Sequence, residues 1–211
     1  MPQYWLMKTE PETFSIDDLE RVKIEPWTGV RSMFARFHMR NMQPGDEVLF
    51  YHSSCEPPGV AGIARITRTK LVDETQFDPA SKYFDPKATR EKPIWDCAEV
   101  ELVRRLPRFV SLGEIRVDPN LGAMPLLQRG MRLSVQPVTE DQFHRIVAKA
   151  DEPAPDPAVL EATLRVVNAV AKLRAGKRKQ SLKAAKRAAK PKQASKTKPK
   201  AKAKKPAKKK R

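Results

Sequence analysis

Apolar residues along the chain fall in short blocks separated by turn-forming residues. Tyr4-Trp5-Leu6-Met7 is a β-prone run, the turn-rich Thr9-Glu10-Pro11-Glu12 follows, and Ser15-Ile16-Asp17-Asp18-Leu19 predicts the capped start of a short helix. In RSMFARFHMRNM, Met33, Phe34, Phe37 and Met42, together with Ala35 and Met39, recur at helical spacing. Gln43-Pro44-Gly45-Asp46 ends this helix, which is expected to pack on a sheet. Val48-Leu49-Phe50-Tyr51 predicts a strand and Val60 to Leu71 another. Ala98, Val100 and Leu102, alternating with Glu99 and Glu101, predict a third that is half exposed.

The intervening TQFDPASKYFDPKATREKPIW is too polar and proline-rich for regular structure, yet it holds Phe77, Tyr83, Phe84 and Trp95. It is expected to form an ordered excursion laid over the domain, with Trp95 in the core. After Val110-Ser111-Leu112, the pattern through Gly130 predicts short helical turns. Arg132 to Val138 then alternates as a closing strand, and Thr139 caps a helix whose apolar face is Phe143, Ile146 and Val147. Many short strands with few helices predict one mixed, barrel-like α+β domain over residues 1–150. Residues 151–157 compose a proline-rich linker. Leu160, Leu164, Val167 and Ala171 predict an amphipathic helix over 158–176, which Gly176 ends, free to dock on the domain or on a second copy.

Charge divides the chain sharply. Residues 1–171 carry 22 basic against 25 acidic residues, whereas 172–211 carry 20 basic and no acidic ones, so the net charge of +17 belongs to the C-terminal segment. Residues 177–211, rich in Lys, Ala and Pro, have almost nothing to bury and are expected to be a disordered tail. Such a tail resembles those of linker histones and histone-like bacterial proteins, and it predicts salt-sensitive, sequence-independent affinity for nucleic acid. Candidate phosphate-binding residues there are Lys190, Lys192, Lys198, Lys200, Lys202, Lys204, Lys205, Lys208, Lys209, Lys210 and Arg211. Arg36 and Arg40, recurring with Arg31 near helical spacing, are candidates on the domain, and Arg104, Arg105 and Arg108 form a second cluster.

Cys55 and Cys97 make no C-x-x-C and find no histidine spacing that would complete a zinc site. Neither a disulfide framework nor a metal is expected, and no cofactor is implied. The N-terminus shows no basic stretch followed by an apolar run, and no segment reaches the roughly 18–20 apolar residues of a membrane helix. The expectation is an intracellular protein with no membrane partner, nucleoid-associated in a bacterial cytoplasm or nuclear in a eukaryote. His52 and Cys55 are the only nearby pair resembling a nucleophile dyad, and no third residue orients them, so no catalytic constellation is assigned.

One stretch poses a particular question. In GDEVLFYHSSCEPPGVAGIA a strand ends in Tyr51-His52-Ser53, turns at Pro57-Pro58-Gly59 and continues through the small residues Gly59, Ala61, Gly62 and Ala64. Small residues serve either the close approach of a ligand or a tight corner of a barrel.

YWLMKTEPETFSIDDL, W-T-G-V-R with the following A-R and M-R-N-M, GDEVLFYHSSC, PGVAGIA, TQFDP-x-S-x-Y-x-DP and RLSVQPV, in that order over about residues 3–149, resemble the EVE domain family. The resemblance implies a PUA-like pseudo-barrel, similar to the YTH and ASCH domains, that binds DNA or RNA and reads modified bases in an aromatic-lined pocket. It implies that Trp5, Lys8, Thr9, Trp27, Gly29, Val30, Arg31, Tyr51, His52, Ser53 and Gly62 meet at that pocket, with Ser134 and Gln136 nearby and the small track admitting a flat ring to main-chain donors. The chain departs from the family at Ser32, where Asn is usual, a change expected to alter which base edge is read. The alternatives are an enzyme of nucleic-acid or nucleotide metabolism using the same pocket, and a nucleoid or chromatin protein acting through its tail.

Overall fold

The computed structural model describes residues 2–188, and the tail lysines from Lys190 to Arg211 lie outside them. Two compact units are distinguished, Met1–Asn168 and Ala169–Arg211.

Six strands form one sheet in the first unit. β1 (Tyr4–Thr9) runs parallel to β3 (Glu47–His52), with Trp5 opposite Val48 and Thr9 opposite His52. On its other side it pairs antiparallel with β6 (Val135–Val138), Leu6 opposite Gln136. β3 turns into β4 (Gly59–Val72), β4 pairs with β5 (Asp96–Ser111), and β5 pairs with the three-residue β2 (Ile24–Pro26), all antiparallel. The order is therefore β2-β5-β4-β3-β1-β6, open at β2 and β6. The helix α2 (Met33–Asn41) packs against β4, β5 and β6, bridging toward both sides of the opening. This is the mixed α+β architecture that the sequence pattern predicts and the PUA-like pseudo-barrel that the family resemblance implies.

Side-chain alternation splits the core into two clusters, one on each face. Trp5, Met7, Val48 and Phe50 meet Leu19 of α1 (Ile16–Val22) and Ala35 and Met39 of α2. Leu6, Leu49 and Tyr51 meet Ile115 of α3 (Leu112–Val117) and Phe143 and Ile146 of α4 (Glu140–Asp151). Covering both faces is what makes β1 and β3 continuous apolar runs instead of alternating ones. Capping boxes start α1 at Ser15 with Asp18, α3 at Ser111 with Glu114, and α4 at Thr139 with Gln142.

The small-residue track belongs to the barrel corner. A Cβ at Gly59 would come within 2.3 Å of Val110 O, and one at Gly62 within 2.6 Å of Ile16 Cδ1 and 3.0 Å of Arg104 O. The register of β4 against β5 shifts at this point, and the missing side chains let β5 and α1 close over it. The track faces protein, so the expectation that it admits a flat ring is corrected here.

Two helices differ from their sequence reading. α2 buries Ala35, Met39 and Met42, whereas Met33, Phe34 and Phe37 face outward at 59, 75 and 61% exposure. The last helix, α5, runs Pro157–Ala188, through Gly176, so residues 177–188 are helical instead of part of a disordered tail. Ala, Lys, Arg, Gln and Leu are strong helix formers there, and one glycine costs only about 1 kcal/mol relative to alanine.

Candidate functional site

β1 and β3 are parallel and stop together, and their common end opens a cleft. Ser53 N–H donates to Thr9 O at 2.7 Å, and Lys8 N–H donates to Ser134 O at 2.8 Å, fixing three chain segments at the rim. Further walls come from Phe14 in the turn before α1, from Glu25 to Val30 at the end of β2 and just beyond it, and from Lys82 and Tyr83 of the excursion. The cleft measures about 550 Å³, within the range typical of small-molecule sites. Phe14, Trp27 and Tyr83 give it aromatic surface. Lys8, Lys82 and Arg132 supply donors, Glu10 and Glu25 acceptors, and Thr9, Thr13, Thr28, Ser53 and Ser134 hydroxyls.

The excursion is held over the cleft by one buried carboxylate. Asp73, 1% exposed, accepts from Gly29 N–H at 2.8 Å, from Arg31 Nη1 at 2.7 Å and from the Thr75 backbone N–H at 3.0 Å. Arg31 also donates from Nε to Tyr83 O at 2.8 Å and from Nη2 to Thr75 Oγ1 at 2.9 Å, and its guanidinium lies 5.4 Å from the ring centres of Tyr83 and Trp95. Burial alone would raise the Asp73 carboxyl, but hydrogen bonds from Arg31, Thr75 and Gly29 outweigh it and hold the group below its ordinary value. Trp95 is buried as expected, with Nε1 donating to Asp85 at 2.7 Å.

Of the residues that the resemblance brings to a pocket, Lys8, Thr9, Trp27, Gly29, Val30, Ser53 and Ser134 line the cleft. The others are placed elsewhere, each for a packing reason. Trp5 is in the core, its Nε1 donating to buried Asp46 at 2.9 Å. Tyr51 points the opposite way into the second core cluster, and burial pushes its phenol up to about 12. Arg31 is the clamp on Asp73, and Gly62 is covered by Ile16. Gln136 is buried and donates to Leu133 O at 2.8 Å, its Oε1 being the one buried side-chain oxygen without a partner among the described residues.

His52 accepts Ile16 N–H at Nε2, 3.1 Å away, and burial lowers its imidazole below the ordinary 6.5. Its ring thus anchors α1. Burial also raises the Cys55 thiol, away from the thiolate a nucleophile needs. Ser32 does not line the cleft: its Oγ caps α2 by accepting from Ala35 N–H at 3.4 Å. Since Asn caps helices equally well, the residue that departs from the family pattern keeps a structural role at the start of α2.

The arginine clusters are also engaged. Arg36 and Arg40 both pair with Asp96, Arg105 pairs with Asp17 and Glu20, and Arg108 pairs with Glu114 at 2.7 Å. Arg36 and Arg40 therefore do not form an unpaired phosphate-facing stripe with Arg31. The cleft residues that sequence reasoning missed are Thr13, Phe14, Glu25, Pro26, Lys82, Tyr83 and Arg132. Only Tyr83 gave a signal, as an aromatic residue in an otherwise polar excursion.

Lys8 is the most distinctive charge at the rim. Its Nζ lies 5.8 Å from the centre of the Tyr51 ring, burial lowers its ammonium below the ordinary 10.5, and no carboxylate pairs with it among the described residues. It is a donor whose electrostatic complement within the protein is a π face.

Comparison with known proteins agrees with this architecture. Mouse thymocyte nuclear protein 1 is 36% identical over 170 residues, covering 70% of this chain and 74% of its own. A protein from Pseudomonas putida of known crystal structure is 49% identical with a TM-score of 0.68, covering 70% of this chain and 99% of its own. The crystal structure of the human THYN1 protein in complex with 5-methylcytosine containing DNA matches with a TM-score of 0.69 at 34% identity, covering 72% of this chain and 99% of that one. The EVE domain model matches residues 3–149, the span of the sheet and its covering helices up to α4, and the chain belongs to the EVE domain family.

Proposed function

We propose that this protein binds nucleic acid without catalysing a reaction on it, and that the cleft between Phe14, Trp27 and Tyr83 takes a modified base. The observation that carries the reading is the cleft itself: aromatic surface beside a mixed set of donors and acceptors, in a domain whose human relative is solved with 5-methylcytosine containing DNA. Base planes stack on aromatic side chains with about 1–3 kcal/mol each, and polar groups at the rim discriminate the edge. A base inside a duplex must leave the stack to reach such a cleft. The engagement of His52 with Ile16 N–H and the raised Cys55 thiol favour binding over chemistry.

The domain is slightly acidic and its arginines are largely paired, so nonspecific phosphate affinity falls to the basic C-terminal segment. Each lysine that neutralises a phosphate steepens the dependence of log K on log salt by about 0.9 on duplex DNA.

The test is fluorescence anisotropy of the full chain against matched oligonucleotides carrying cytosine or 5-methylcytosine, single- and double-stranded, at physiological salt. Preferential binding of the modified strand, abolished by Tyr83→Ala with the salt slope unchanged, is expected. Equal binding of both strands by the wild type and the variant would remove the cleft reading and leave the function to the basic segment.

A further inference from the structure

α5 is longer than its docking on the domain requires. Its first turns face α3, where a Cβ at Gly113 would lie 3.3 Å from Leu164 Cδ1 and 3.5 Å from Leu160 Cδ2. A second apolar stripe starts one residue earlier, about 100° round the helix. Val159, Thr163, Val166, Val170 and Leu173 follow one another at spacings of 4, 3, 4 and 3. That alternation holds side chains on the seam of one helix wound against another. Val159, Val166, Val170 and Leu173 are 62, 63, 40 and 68% exposed, an apolar row open to solvent. Ala162, Ala169 and Gly176 recur every seven residues on the flank away from Leu160, leaving no bulk to hold a neighbouring helix off.

We propose that this stripe pairs with α5 of a second copy, antiparallel. Val159 and Leu173 each lie seven residues from Val166, so a two-fold axis at Val166 sets Val159 of one copy against Leu173 of the other, the self-matching arrangement that a two-fold contact demands. Charge selects the direction. Residues 172–211 hold 20 basic and no acidic residues, and a parallel pair would lay two such segments side by side. Antiparallel pairing sends them to opposite ends and brings each basic end toward the Asp156 and Glu161 end of its partner.

Sedimentation equilibrium of the full chain from low to high micromolar concentration, with salt high enough to screen the basic segment, tests this directly. The expected result is a mass that rises from one chain to two, and a return to one chain for Val166→Lys with Leu173→Lys while the circular dichroism keeps its helical signal. A single-chain mass throughout, or a dimer that the double substitution leaves intact, overturns the pairing. In a Cys55→Ser background, mixed Val159→Cys and Leu173→Cys chains are expected to cross-link with each other. Self-cross-linking of Leu173→Cys alone overturns the antiparallel direction.

Discussion

The ring of Tyr83 rests on Gly29: a Cβ at position 29 would lie 2.6 Å from Tyr83 Cε2 and Cζ. Gly29 also has φ of +82°, a conformation that side chains resist, so backbone shape and ring position depend on each other. Gly29→Ala should therefore lose about 1 kcal/mol or more of stability. It should also displace Tyr83 from the cleft, read as a shift of the urea midpoint together with weaker oligonucleotide binding.

The Arg31–Asp73 pair joins the segment before α2 to the excursion. Asp73→Asn leaves the Arg31 guanidinium, 21% exposed, without its carboxylate, and removing one member of a buried pair costs about 3–5 kcal/mol. The native carboxyl titrates below its ordinary 3.8. Its contribution is complete above that value and is lost as pH falls through the lower folded one. Urea titrations of wild type and variant should thus converge as the pH drops toward 3.

His52→Ala should leave Ile16 N–H without a buried acceptor and cost about 1–3 kcal/mol, whereas His52→Gln, which offers an amide oxygen, should recover part of that loss. Since burial depresses the folded imidazole, its stabilising contribution is present above about 6.5 and declines as pH falls below it. Thermal melts from pH 7.5 to 5 should show this decline in the wild type and not in the glutamine variant.

How much of this was legible in the sequence differs between fold and site. Strand runs, helix caps and the order of elements could be read because they depend on local spacing: Ser15, Ser111 and Thr139 each cap a helix through a partner three residues on. The cleft depends on long-range register. Lys8 and Tyr51 are paired neighbours in the sheet, yet Lys8 reaches the rim while Tyr51 fills the second core, a distinction that strand alternation does not carry. Phe14 precedes a predicted helix and Arg132 begins a predicted strand, patterns that say nothing of a cleft, so only the fold could bring them to the same opening.

Arg36→Ala and Arg40→Ala should change oligonucleotide affinity less than twofold and leave its salt slope unaltered, because both guanidinium groups already face Asp96. Deleting residues 189–211 should flatten that slope. Measuring log K against log salt for the three variants separates paired arginines from the basic segment.

Gly59 and Gly62 also bear on how natural or engineered variation in this protein is to be interpreted. The neighbouring carbonyls of Val110 and Arg104 and the Ile16 side chain would penalise nearly any replacement. A mutational scan scored by cellular abundance should mark these two positions as intolerant as firmly as one scored by binding. Tyr83 and Lys8, at the rim, should separate the two screens. Intolerance shared by both would identify the barrel corner, and intolerance confined to binding would outline the ligand.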